Sequence, residues 1–447
     1  MNIINDPRAG MEERIEALKA EVKAKPPARI TGAGEVNNHI HTMYSFSPYT
    51  PAMAALMARR AGLEAAGSVD HDSIAAAREM TAACAALGMG GCSGFEIRVS
   101  FKGPPGKGPF ADRKINNPDS PGVAYMTVQG VPASAASKAD AFLKPIRGER
   151  LKRTAAMTEK ANALLREAGF DPVNFEKDVV DASLYPEGGE ITERHLMAAA
   201  AAKISDKLGR DVLCEGLKKK LGIEAGAKQE KYLSDPENPH YLYDLLGLLK
   251  TGFLPRFFIQ PDEAECIPAK QAVDFALSIG AIPSYAYLGD VGESPTGDKK
   301  AEKFEDDFIE ELFAELARLG YKAVTYMPPR NSIAQLRKVR RLCAKGGFME
   351  ISGVDINSSR QSFNCPEVLE DEFRHLIDTT WALVAHERLA SADPAFGIFS
   401  PANPLAREKL SERIAAYAAA GKALDPGNPG ESSFLVIENL RKGRYTP

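Results

Sequence analysis

The 447-residue chain has no pair of cysteines in a CxxC spacing and only one tryptophan, and it lacks any long apolar run. Its six cysteines (Cys84, Cys92, Cys214, Cys266, Cys343 and Cys365) are scattered, so they are expected as reduced, mostly buried thiols. No stretch approaches the roughly 18 apolar residues of a membrane-spanning helix. The opening, MNIINDPRAGMEERIEALKAEVKAK, lacks the apolar core of a signal peptide. A cytoplasmic location with no membrane partner is the expectation. A strongly basic character is absent too: the net charge is −4. That argues against a grip on long nucleic acid and leaves room for a small anionic substrate held by a few arginines. Internal repeats and low-complexity tracts are missing. Oligomeric state is not legible.

What is present is ordinary in amount and unusual in placement. Hydrophobic residues make up 44% and charged residues 26%, the profile of a globular chain with a large core. A helix is expected over 10–24, with Met11, Ile15, Leu18 and Val22 on one face. GEVNNHI then reads as a strand. TPAMAALMARRAGL reads as a helix capped by Thr50 with Pro51 in its first turn. EAAGSVDH, SIAAAREMTAACAALG and GGCSGFEIRVSF continue a β-α-β-α-β rhythm, which implies parallel strands joined by right-handed crossovers. A Gly/Pro-rich loop at 102–124 interrupts it and suggests a lid or an insertion. Residues 146–250 read as helical, after which the α/β rhythm returns. The expected division is an N-terminal helix (1–30), a first barrel part (31–145), a helical insertion (146–250), a second barrel part (251–360) and a C-terminal helical extension (361–447). The segment TTWALVAH around Trp381 reads as core packing. His240, His375 and His386 carry no motif and read as structural.

Two of only seven histidines, His39 and His41, stand one residue apart on a strand. Residues i and i+2 of a strand share a face, so HxH can offer two imidazoles to one metal ion. Alone, the pair is equally compatible with chance. Other strand ends strengthen it: Asp70, His71 and Asp72 in SVDHDS, Glu96 in SGFEIRV, and Asp355 in EISGVDIN. A buried glutamate in an apolar strand is costly unless paired. In a parallel α/β barrel such ends converge on one face. Two histidines, a glutamate and an aspartate suit Zn, Mn or Fe.

The stretches NNHIHTMYSFSPYTP, VDHDS and GFEIR resemble the opening of the PHP (polymerase and histidinol phosphatase) family of metal-dependent phosphoesterases. The likeness is greatest to a branch with a helical insertion that acts on nucleotides or RNA ends. ITERHL, GAIPSYAYL and GVDIN extend it more weakly, to about residue 360. The resemblance implies an α/β fold, a distorted TIM-like (β/α)7 barrel with up to three metals at one face. It makes His39 and His41 ligands of a first metal, with Glu96 bridging to a second and Asp355 closing the first site. It makes His195 a ligand of the second metal and His71 of the third. Phe46, Tyr125, Tyr287 and Asn357 stand where the family usually has ligands. Phenylalanine cannot ligate, and neutral tyrosine and asparagine do so weakly. One divalent metal (Zn, Mn or Fe) is therefore expected, with room for a weaker second.

The implied chemistry is hydrolysis of a small phosphorylated metabolite or nucleotide by a metal-activated water. His195, Tyr125 or Tyr287 would donate a proton to the leaving group. Asp70 or Asp72 would orient a histidine. Arg98, Arg194 and Arg360 would hold phosphate oxygens. Two alternatives stay open: a non-catalytic ligand- or metal-binding relative, and a one-metal hydrolase of a non-phosphate substrate.

Overall fold

The computed structural model describes residues 3–28, 30, 34–103, 106, 108–292, 302–425 and 429–442. Parts of the expected lid loop (104, 105, 107) and of the DPGNPGESS stretch (426–428) lie outside the described residues.

Seven strands form one sheet in sequence order: β1 (Glu35–Ile40), β2 (Leu63–His71), β3 (Gly90–Ser100), β4 (Val123–Gln129), β5 (Ile282–Ala286), β6 (Ala323–Tyr326) and β7 (Met349–Ser352). Past β7 the chain returns to β1. The His41 N–H donates to Ile356 O at 2.9 Å, and the Ile356 N–H donates to His39 O at 3.1 Å. The sheet is thus a nearly closed, distorted α/β barrel.

Local chemistry explains the early elements. Thr50 Oγ1 accepts the Met53 N–H at 3.1 Å and caps the helix Pro51–Arg60, whose proline needs no donor in the first turn. Four alanines of that helix (Ala52, Ala54, Ala55 and Ala58) are fully buried, so its backbone packs close to the sheet. On β3, pleating sends Phe95, Ile97 and Val99 to the packed core and Glu96 and Arg98 to the other face.

The rhythm of purely parallel strands fails at β4, which is antiparallel to both β3 and β5. The described residues of 101–122 form no helix, and a parallel strand needs a crossover to carry the chain back. The loop turns round at the open end of the barrel instead. It is held there by Asn116, whose Nδ2 donates to Tyr125 O and Ala286 O and whose Oδ1 accepts from Tyr125 N.

The expected boundary at 145/146 falls inside one helix, Ala136–Glu167, of 32 residues. At 1.5 Å per residue it runs about 48 Å. Ala139, Leu143 and Ile146 pack in the barrel core, whereas Met157, Ala161 and Leu165 belong to a second core with Leu196, Leu217, Leu245 and Phe253.

The C-terminal segment does more than extend the molecule. Helix His375–Ala392 is buried on nearly every face and lies across the strand ends opposite the site. Gly90, at the start of β3, would bring a Cβ within 2.9 Å of Trp381, and Gly130, just after β4, would bring one within 2.7 Å of His386. Only glycine fits under this helix, which closes the barrel floor.

Candidate metal centre

β1 with the residue just after it, β3 and the turn after β7 bring four titratable side chains to the open end: His39, His41, Glu96 and Asp355. His39 Nε2 lies 3.6 Å from Glu96 Oε1, and His41 Nε2 lies 3.8 Å from Glu96 Oε2. His41 Nε2 is also 3.5 Å from Asp355 Oδ1. Donor atoms of His39, His41 and Glu96 all lie within 4.8 Å of one another. A tetrahedral ion about 2.1 Å from each donor would set donors about 3.4 Å apart. The spacing fits one ion with slight contraction. Close approach makes room for it: a Cβ on Gly353 would sit 2.5 Å from His39 Cβ.

The protonation states agree. Burial, then the neighbouring His71, pushes His41 down to about 3. Burial, then Arg150, does the same to His71. Both imidazoles are neutral at pH 7 and can offer lone pairs. Burial raises the Glu96 carboxyl, opposed by His39 and His41. Burial also works to raise Asp355, but His41, His39 and Arg194 outweigh it and leave that carboxyl below its usual value.

Supporting residues orient this set. Asp70 accepts from Thr42 N (2.6 Å), Thr42 Oγ1 (2.6 Å) and Ser45 Oγ (2.5 Å). Ser45 Oγ is 3.3 Å from His41 Nδ1. Asp70 therefore reaches His41 through a hydroxyl, not directly. Asn357 Nδ2 donates to both Asp355 oxygens (2.7 and 2.8 Å), and Arg194 Nη1 donates to Asn357 O at 2.9 Å.

Several expected residues lie elsewhere or are otherwise engaged. His71 lies beside the first cluster, with its Nδ1 3.0 Å from Glu96 Oε2. His195 Nδ1 accepts the Thr192 N–H at 3.0 Å, tying down the start of helix Glu193–Leu208. Its ring meets Phe46 edge-on at 4.8 Å and lines a different cavity, with Lys177 and Asp178. Asp72 adopts a left-handed φ of 48° and pairs with Arg150 at 2.8 Å. Arg98 is buried against Glu265, with Glu193 at 3.7 Å. Arg360 pairs with Asp244 outside the site and stacks on Tyr232. The Tyr287 hydroxyl donates to Asp306 Oδ1 at 2.6 Å.

The open cavity beside the cluster, about 320 Å³, is lined by His39, Glu96, Asp355, Tyr125, Tyr287 and Tyr326. Arg194, Lys250 and Arg330 add positive charge to the same cavity. Lys250 has no side-chain partner among the described residues. The Tyr125 hydroxyl makes no hydrogen bond among them either. Burial, against the pull of Arg98 and Arg150, raises its pKa, so it keeps its proton.

A row of arginines escaped the sequence reading. Arg147, Arg150 and Arg153 recur every third residue of one helix and are all buried. Arg150 and Arg153 hold Glu193, and Arg153 also holds Glu265. The signal was available: three long cations on a face that also carries Met157 and Ala161 need buried carboxylates.

No family model and no curated protein sequence matches the chain. Among solved structures it is similar to an amidohydrolase from Chromobacterium violaceum, solved with bound sulfate and no metal. The two share 17% identity and a TM-score of 0.46, over 76% of this chain and 95% of the other. It is also similar to a protein from Bifidobacterium adolescentis described as a candidate metal-dependent phosphoesterase. That match has 16% identity and a TM-score of 0.47, over 78% of this chain and 97% of the other. At such identities the chemistry has to be argued from the site itself.

Proposed function

We propose that the protein is a metal-dependent hydrolase of a small phosphate ester, built on a PHP-like site reduced to one firm metal position. The observation that carries this is the convergence of His39, His41 and Glu96 within 4.8 Å, with Asp355 beside His41. The donor set of imidazoles and carboxylates fits Zn, Mn or Fe. A bound ion would supply Lewis acidity and an activated water.

The chain's own residues supply the rest. Arg194, Lys250 and Arg330 face the cavity and hold phosphate oxygens, which favours a phosphate over a neutral amide. The attacking water forms a bond to phosphorus as the bond to the ester oxygen breaks. That oxygen keeps the electron pair and takes the Tyr125 proton, and the proton released by the attacking water restores the tyrosine. Of the three proton donors the sequence offered, Tyr125 alone has an uncommitted hydroxyl at the cavity; Tyr287 is bonded to Asp306, and His195 caps a helix. Asp70, through Ser45, keeps His41 turned toward Glu96.

The test is metal content together with turnover of a generic aryl phosphate, for the unaltered protein and His41→Ala. The expected result is bound metal and turnover, both lost in the variant with the fold retained. Metal without phosphatase activity would move the reading to a one-metal hydrolase of another substrate. Absence of metal would favour a non-catalytic binding protein.

A further inference from the structure

A second, smaller cavity of about 110 Å³ adjoins the first. The two share His71, Asp119, Tyr125, Arg194, Lys250 and Asn357. Tyr125 stands where they meet. If Tyr125 protonates the leaving oxygen, the smaller lobe is the space beyond that oxygen.

The lobe has one polar wall and one apolar wall. The polar side carries Glu193 and Thr192 with the cations Arg98, Arg150, Arg194 and Lys250, and the apolar side carries Met197, Leu254 and Phe258. Glu193 is fixed by Arg153 at 2.5 Å and Arg150 at 3.0 Å, with Arg98 at 3.7 Å. These arginines hold its carboxyl well below the usual range despite burial. Arg98 and Arg150 are engaged by Glu265 and Asp72, and Arg194 and Lys250 line the same lobe, so it offers hydrogen-bond donors to a hydroxyl as well as the Glu193 acceptor. Glu193 is therefore a permanent acceptor in a confined space.

We infer, on the phosphoesterase reading, that this lobe receives the departing alcohol and that the alcohol is a small polyol. Its hydroxyl groups donate to Glu193, and its C–H face lies on Leu254 and Phe258. An ammonium-bearing alcohol is disfavoured, because guanidinium groups already surround the carboxylate. A nucleoside is disfavoured by size, since 110 Å³ is far below the roughly 300 Å³ where pockets for larger ligands begin. The substrate is thus a small phosphorylated polyol.

The experiment uses the unaltered, metal-loaded protein, because neutralising Glu193 would strand buried arginines. Its kcat/KM is measured on glycerol phosphate, a pentose 5-phosphate, propyl phosphate, a nucleoside monophosphate and an aryl phosphate. A hydroxyl bonded to a fixed carboxylate predicts glycerol phosphate over propyl phosphate by about ten-fold or more. The pentose phosphate should exceed the nucleoside monophosphate in the same sense. Aryl phosphate turnover with no gain from hydroxyls, or a preference for the nucleoside, would overturn this inference and leave the phosphoesterase reading standing. A panel with no turnover at all would overturn both.

Discussion

At the scale of single residues, the site separates side chains that look alike in sequence. Tyr125 and Tyr287 both follow a strand pattern, but Asp306 holds only the second. Tyr125→Phe should lower kcat by about 10²- to 10⁴-fold, the range for loss of a general acid. Tyr287→Phe should instead cost about 1–3 kcal/mol of stability, because Asp306 loses its donor. Steady-state kinetics beside denaturant unfolding would separate the two, and equal kinetic losses would contradict the assignment. His195→Ala should leave metal content unchanged and cost about 0.5–2 kcal/mol, as for a lost helix cap. Metal analysis with denaturant titration would check it. His39, His41 and Glu96 were legible because alternation along a strand fixes which side chains share a face. The hydrogen bond of His195 to the Thr192 amide was not legible, because a histidine three residues into a helix looks the same whether it binds a metal or a backbone amide. Arg360 was misread because its partner, Asp244, lies 116 residues away.

At the scale of elements, the helices and strands near the site were readable from capping residues and periodicity, and the strand direction of β4 was not. Nothing in VAYMTVQ states its orientation; the absence of a helix in the preceding loop decides it. The role of helix His375–Ala392 was also hidden. Burial on all faces removes the amphipathic stripe that would show which side packs. This helix carries two adjacent buried groups with opposite responses to pH. Burial pushes Glu387 up to about 8, with the Ser93 N–H bond opposing. Burial pushes His386 down to about 4. Between pH 4.5 and 8 the folded chain keeps the Glu387 proton that an unfolded chain sheds, so stability falls as pH rises through that window. Between 6.5 and 4 an unfolded chain gains the His386 proton that the folded chain refuses, so stability falls as pH drops. The two oppose each other below pH 6.5, and of the pair only Glu387 acts above it. Glu387→Gln should flatten the decline of Tm between pH 6.5 and 8. An unchanged slope would place that pH dependence elsewhere.

At the scale of the whole molecule, the barrel and the helical layer are joined by continuous structure. Helix Ala136–Glu167 enters both cores. The ion cluster of Arg98, Arg150, Arg153, Glu193, Glu265 and Asp72 ties that helix to the ends of β2 and β3. Buried pairs broken one partner at a time are strongly destabilising, so the layers should not part without losing the cluster. Calorimetry should show one main transition covering both layers; two well-separated transitions would contradict this coupling. Among the described residues no helix is long and apolar enough to cross a membrane. The proposed function depends on distant strand ends gripping one cation. Crystals grown with Mn or Zn and measured at the metal's absorption edge would test it most directly. One strong anomalous peak is expected about 2.0–2.2 Å from the His39, His41 and Glu96 donors. A map empty at that point, or a peak held by His195 instead, would contradict it.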